Sequence, residues 1–353
     1  MRCLTLADAL RAAGMETAFV SRANAGHVIP TIRARGHRVF ILPGNTGQPY
    51  GEHPEPPEHA SWLEADWRGD AAATRAELEE TGARWLVLDH YALDASWQAE
   101  ALPDGVSLLV LDDLADRSHR ADVLLDQNFG RAPADYAELL PADCDLRTGP
   151  AHALLRPEFA RLRPRALARR EALKRPKTLL ITLGGIDKDN ATGAVLDVLA
   201  RAAAVPELRI TVVMGDSAPH LRAIRAQAAT MPIPTDVAAG VQDMAQRMMM
   251  ADLCIGAVGS TAWERCALGL PTLQLVLAGN QVGPAKAMAA QGVSLALPNP
   301  NAPEFAAALA AGLEELSAAN VYRAIARAAA ALSDGSGSAR LARTLLERPI
   351  HAY

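Results

Sequence analysis

IGAVGSTAWERCALGLPTLQLVLAGNQ, residues 255–281, is the stretch whose reading decides the fold. An apolar strand over 252–257 runs into Val258-Gly259-Ser260-Thr261, and a helix over 260–268 begins at once. A second strand (272–277) and a second helix (281–291) follow. Strand and helix alternating at this spacing is the unit of a parallel sheet. The small residues at 259–261 let backbone approach a ligand. The free N–H groups and dipole of the helix start attract phosphate. Glu264, one turn further on, faces the same end, where a carboxylate can accept two hydrogen bonds from a ribose diol. The plain alternative is a helix capped by Ser260 or Thr261 and packed on a sheet, with Glu264 serving the cap.

The same alternation extends in both directions. Downstream, 293–297 reads as a strand, and the Ala-rich tail over 303–347 as helix broken at 333–338, its alanines being strong helix formers. Upstream come strands at 177–183, 208–214 and around Asp236, with helices at 190–203, 218–230 and 241–250. The first half repeats the pattern. Strands are expected at 17–20, 38–42, 85–89 (buried), 107–111, 123–126 and 145–148. Helices are expected at 1–14, 28–35 and 70–81, and 43–60 reads as an irregular Gly/Pro/His-rich loop. The basic run 157–176, interrupted by three prolines, reads as a helix and linker. It sets two Rossmann-like α/β domains, 1–165 and 175–353, with a boundary near 170. The first of these opens on a helix, so it is expected to lack the first strand and the βα turn that usually faces the ligand.

Bulk properties narrow the class. The 353 residues suit two domains. A formal charge of −5 argues against a nucleic-acid partner. No apolar run approaches the ~20 residues that span a bilayer, and no signal peptide is read at the start. The expectation is a cytoplasmic monomer with no membrane partner. The four cysteines are scattered with no CxxC pair and read as small buried hydrophobes.

Other candidates sit where strands end. Gly184-Gly185 places backbone donors after the strand 178–183, the plain alternative being a left-handed turn capped by Asp189 or Asn190. Asn280-Gln281 closes the strand 272–277, where amides can reach phosphate or sugar or Asn280 can cap the next helix. Asp89-His90-Tyr91 emerges at a strand end and admits a base, a positioning tyrosine or a hydrogen-bonded cluster. Asp112-Asp113 suggests a metal only weakly, paired acids capping a turn being commoner. His27 reads as an exposed histidine at a helix start.

Taken together, MRCLTLADALRAAG (1–14), LVLDHYALDASW (86–97), LLVLDDLADRSHRADVLLDQNFG (108–130), GPAHALLRPEF (149–159), LGGIDKDNATG (183–193) and the segment 259–281 resemble one family. It is the UDP-2,4-diacetamido-2,4,6-trideoxy-β-L-altropyranose hydrolases of pseudaminic acid biosynthesis, with the two-domain fold of the GT-B glycosyltransferases. The resemblance implies attack of water at the anomeric carbon, release of UDP, and no metal or other cofactor. It implies that Gly259, Ser260, Thr261 and Glu264 bind UDP and that Tyr91 and Asn280 line the sugar; these two are expected to be catalytic, and Gly185 and Gln281, read from their strand ends, are expected to join the substrate site. It also implies a Gly-His-Val turn standing directly before Met1-Arg2-Cys3, whose histidine activates the water. His27 does not match that position, and Val258 stands where the family often has glycine. The expectation is therefore a chain that binds UDP and hydrolyses its sugar nucleotide poorly. A GT-B glycosyltransferase and a non-catalytic nucleotide-sugar-binding protein stay open beside it.

Overall fold

The computed structural model describes residues 1–44, 47, 49–201 and 208–348. Residues 45, 46 and 48 of the expected loop, and the last two of the expected helix 190–203, lie outside that range. The chain packs as two compact units, Met1–Leu154 joined by the segment from Ser338 onward, and Leu155–Gly337.

The first unit runs α1 (Arg2–Ala12), β1 (Ala18–Arg22), α2 (Ile29–Ala34), β2 (Arg38–Leu42), α3 (Trp67–Thr81), β3 (Trp85–Leu88), α4 (Ala95–Ala101), β4 (Ser107–Leu111), β5 (Val123–Asp126) and β6 (Asp145–Thr148). All pairings are parallel, in two sheets: β1-β2 and β3-β4-β5-β6. Side chains alternate across the larger sheet. Leu108, Val110 and Leu124 pack with Trp67, Ala71 and Trp97 on one face, while Leu109, Leu111, Val123 and Leu125 pack with Leu6 and Leu10 on the other. Helix α3 starts three residues before the sequence reading because Asp66 caps it, accepting from the Gly69 amide at 2.7 Å. Helix α4, absent from that reading, is a seven-residue helix capped by Asp94. It is too short for its period to stand out. The strand expected to be buried, β3, has only Leu88 buried, whereas every residue of β4 and β5 is. Its outer edge has no strand partner among the described residues.

The second unit runs α5 (Pro157–Ala172), β7 (Thr178–Thr182), α6 (Ala191–Arg201), β8 (Arg209–Met214), α7 (Leu221–Ala229), β9 (Thr235–Ala239), α8 (Met244–Met250), β10 (Leu253–Ala257), α9 (Ser260–Ala267), β11 (Thr272–Leu275), α10 (Val282–Ala290), β12 (Leu295–Ala296), α11 (Phe305–Glu315) and α12 (Ala319–Leu332). Its six strands are parallel in the order β12-β11-β10-β7-β8-β9. That is a doubly wound sheet whose order reverses between β7 and β10.

The boundary differs from the sequence reading at both ends. The basic segment is not a linker: α5 belongs to the second unit, held there by its arginines. Arg163 donates to the carbonyls of Ala267 (2.6 Å), Ala330 (2.8 Å) and Ser333 (2.8 Å). Arg170, wholly buried, donates to Met248 O at 2.8 Å. Cations on orphan carbonyls at the ends of α8, α9 and α12 satisfy acceptors that water would otherwise have to reach. Conversely the last helix, α13 (Gly337–Glu347), packs Leu341, Ala342 and Leu345 on the first unit's sheet. There Trp85 Nε1 donates to Leu345 O at 3.1 Å.

Candidate functional site

In the second unit, the loops after β7 and β10 leave adjacent strands at the point where strand order reverses, the usual ligand crevice of such a sheet. After β10 the backbone passes Val258 and the extended Gly259, and α9 starts with no side-chain cap. Neither Ser260 nor Thr261 plays the capping role open to it in sequence. Gly259 and Ser260 are exposed, so the first-turn amides remain for a ligand. After β7, Gly184 takes a left-handed conformation (φ 98°). The turn is capped by Asp187, not by Asp189 or Asn190: its carboxylate accepts from the amides of Ala191 and Thr192, both at 2.9 Å. Gly185 O accepts from Gly215 N at 2.8 Å, and a Cβ on Gly215 would lie 2.5 Å from that oxygen. Two strand-end loops thus touch through glycine alone.

Glu264 lies on α9 with its side chain 17% exposed. Burial pushes its carboxyl up to about 7, against the pull of Arg156 and Arg265. Arg156 Nη2 stands 3.8 Å from Glu264 Oε1. Arg265 is buried under the loop. It donates to Ala257 O at 2.8 Å and lies close enough to Gly256 that a Cβ there would meet its guanidinium carbon at 2.6 Å. This puts a fixed cation at the start of α9, and among the described residues no carboxylate lies within salt-bridge distance of it, so its field is available to a bound anion. Neither arginine was singled out in the sequence, where a basic residue inside a helix reads as solvated. Asn280 is exposed in the turn after β11, and it does not cap α10. Gln281 spends its Oε1 on Leu277 N at 2.9 Å, which fixes that turn.

Tyr91 belongs to the first unit. Its hydroxyl donates to Asp113 Oδ2 at 2.7 Å, and burial among carboxylates pushes its pKa upward. Asp113 also takes both 2.8 Å bonds from Arg2 Nη1, while Arg2 Nη2 bonds Asp89 at 2.8 Å. The Tyr91 ring lies 5.8 Å from that of Trp62, which is 57% exposed, and 5.9 Å from that of His59. Aromatic faces beside a hydroxyl and carboxylates are what a sugar ring meets in a binding site. The two acids at 112–113 divide their work: Asp112 caps the turn at the amides of Leu114 and Ala115 and pairs with Arg117 at 2.9 Å, leaving Asp113 for Tyr91. His90 accepts from Ala92 N at 3.1 Å through Nδ1. Burial lowers its pKa, so it is a neutral ring with its proton on Nε2. His27 is exposed, in the turn before α2.

Among the described residues, no helix is long and apolar enough to cross a membrane, and no three His, Cys, Asp or Glu side chains are grouped to hold a metal ion.

No family model matches the chain. It is similar to the spore coat polysaccharide biosynthesis protein SpsG of Bacillus subtilis, 31% identical over 152 residues, 42% of each chain. It is also similar to the UDP-2,4-diacetamido-2,4,6-trideoxy-β-L-altropyranose hydrolase of Campylobacter jejuni, 27% identical over 150 residues, 42% of this chain and 50% of that one. The chain thus spans half the length or less of these curated relatives. Among solved structures, MurG of Acinetobacter baumannii matches with a TM-score of 0.69 at 14% identity, over 98% of this chain and 95% of that one. That likeness shows the fold: parallel α/β of the GT-B glycosyltransferase kind.

Proposed function

We propose that the chain is a UDP-sugar enzyme that releases UDP from UDP-2,4-diacetamido-2,4,6-trideoxy-β-L-altropyranose by attack of water at the anomeric carbon. The observation that carries the nucleotide part is the uncapped start of α9 at the reversal of strand order, with Glu264 one turn on. In this reading the diphosphate lies on the amides of Gly259, Ser260 and Thr261, with Gly185 and Gln281 lining the same edge. The charge that grows on the leaving oxygen is met by amides and by the guanidinium of Arg265. Glu264, as its carboxylate, accepts from the ribose hydroxyls. Asn280 and Tyr91 are assigned to the sugar, Tyr91 aimed by Asp113. The similarity to the Campylobacter hydrolase supports the choice of sugar and of hydrolysis.

His90 does not serve as the base, because its one lone pair is held by the Ala92 amide. We therefore expect UDP binding to outrun hydrolysis, general-base assistance being worth ~10²–10⁴-fold. The test is incubation of the protein with the UDP-sugar, following free UDP and free sugar with and without added sugar acceptors. Slow release that ignores the acceptor supports hydrolysis. Release that depends on an acceptor marks a glycosyltransferase, and no binding of UDP by calorimetry removes the whole reading.

A further inference from the structure

Residues 50–66, between β2 and α3 of the first unit, are held at both ends. The Tyr50 hydroxyl donates to Ala92 O at 2.7 Å, and Tyr50 O accepts from Trp67 N at 3.0 Å. The His53 side chain is buried, with Nε2 standing 3.3 Å from Asp94 Oδ2. Pro54, Pro56 and Pro57 restrict the backbone that follows. At the other end Leu63 and Ala65 are buried. Glu64 between them takes a left-handed conformation (φ 56°), which an L-residue adopts at a cost. Between these anchors the chain makes a 3₁₀ turn, Ala60–Leu63, in which Trp62 N donates to His59 O at 2.9 Å. Side chains three residues apart eclipse in such a turn. The rings of His59 and Trp62 accordingly stack, 4.6 Å between centroids and 21° between planes. Trp62 is still more than half exposed, the sole aromatic among the large apolar side chains exposed in the described residues. An exposed apolar side chain is ordinary by itself. This one is fixed in place, and the two stacked rings lie 5.8 and 5.9 Å from that of Tyr91.

We infer that Trp62, backed by His59, is the platform that selects the sugar by covering its apolar face; this rests on the UDP-sugar reading above and adds a specificity-determining residue to it. A 2,4-diacetamido-2,4,6-trideoxy hexose has a methyl group where common hexoses carry a hydroxymethyl, and acetamido groups in place of two hydroxyls. Its ring therefore presents C–H and methyl groups that a flat indole covers without leaving a hydroxyl unpaired. The hydroxyl of Tyr91, aimed by Asp113, meets the polar edge of the same ring. Charge favours the same occupant. Residues 50–67 contain Glu52, Glu55, Glu58, Glu64 and Asp66 and no lysine or arginine. Such a segment repels a diphosphate and suits a neutral ring. The anchors at Tyr50, His53 and Leu63 order the platform before a ligand arrives, which spares binding that loss of entropy.

The test measures calorimetric binding of UDP and of the UDP-sugar to the parent, Trp62→Ala and Trp62→Phe proteins, with acrylamide quenching of tryptophan fluorescence beside it. Trp67, Trp97 and Trp263 are buried and Trp85 is half-buried, so quenching reports mainly on Trp62. The UDP-sugar should shield Trp62 from acrylamide, and UDP should not. Trp62→Ala should weaken the UDP-sugar about tenfold and leave UDP unchanged, while Trp62→Phe, which keeps a flat ring, should recover most of the loss. UDP-N-acetylglucosamine, with hydroxyls at C4 and C6, should bind the parent more weakly than the deoxy sugar does, and Trp62→Ala should narrow that gap. Unchanged UDP-sugar affinity in Trp62→Ala, with no shielding in the parent, overturns the platform and leaves the UDP-sugar reading standing. Equal losses for UDP and the UDP-sugar overturn it too, because the ring then serves the nucleotide or the fold. A parent that binds neither ligand overturns the UDP-sugar reading itself, and the platform with it.

Discussion

Glu264 should weaken the fold in proportion to its ionisation while strengthening nucleoside binding, and replacing it by glutamine separates the two effects. Burial lifts its carboxyl from 4.5 to about 7. Between those values the folded protein holds a proton that the unfolded chain has lost. The contribution of Glu264 to stability is therefore greatest below pH 4.5 and is lost as pH rises through 7, by on the order of 3 kcal/mol when the shift is converted at 1.36 kcal/mol per unit. Glu264→Gln is neutral at every pH, so the stability gap between variant and parent should widen in the variant's favour by about 2–3 kcal/mol between pH 5 and pH 8. Urea unfolding of both proteins, followed at Trp263 in the same helix, measures this. Ligand binding runs the other way. Uridine has no phosphate to titrate, and if its ribose needs the carboxylate its affinity should be about tenfold weaker at pH 6 than at pH 8. In Glu264→Gln that pH dependence should vanish, with a loss of about 1–3 kcal/mol at pH 8. A stability gap that stays flat with pH refutes the burial argument. Uridine affinity that is equal in the two proteins refutes the ribose assignment.

Tyr91→Phe removes the bond to Asp113 but leaves the ring packing, so UDP release from the UDP-sugar should slow while calorimetric affinity for free UDP stays unchanged. Gly215→Ala would drive a Cβ into Gly185 O, displacing the β7 loop. It should cost about 1–3 kcal/mol of second-unit stability and weaken UDP binding measurably. Arg163→Met strips donors from three helix-end carbonyls and should destabilise the second unit by about 2–4 kcal/mol, seen by denaturant unfolding, without touching the residues assigned to UDP.

The second unit was largely legible because its information is local. Residues 252–281 carry strand, small-residue turn and helix within one window, and the crevice of a parallel sheet lies wherever such turns gather. The order of strands was not legible, since nothing in a strand's own residues says which neighbour it takes. Only pairing showed that the Gly185 and Gly259 loops leave adjacent strands. The cap on α6 shows the same limit at short range: Asp187, Asp189 and Asn190 are equally good residues for the task, and the left-handed turn chose Asp187.

What the sequence determined by itself was the alternation of elements, the strand ends at which Tyr91, Gly259 and Asn280 stand, and the small size of the residues at 259–261. These depend on periodicity and local backbone preference. The tertiary structure alone decided where the units divide, because two arginines and an apolar helix face found their partners more than 70 residues away. It alone raised the Glu264 carboxyl, since desolvation depends on what packs around a group and not on its neighbours in the chain. And it alone revealed that β3, written as a buried strand, borders an open slot, because burial is a property of the sheet that forms around a strand.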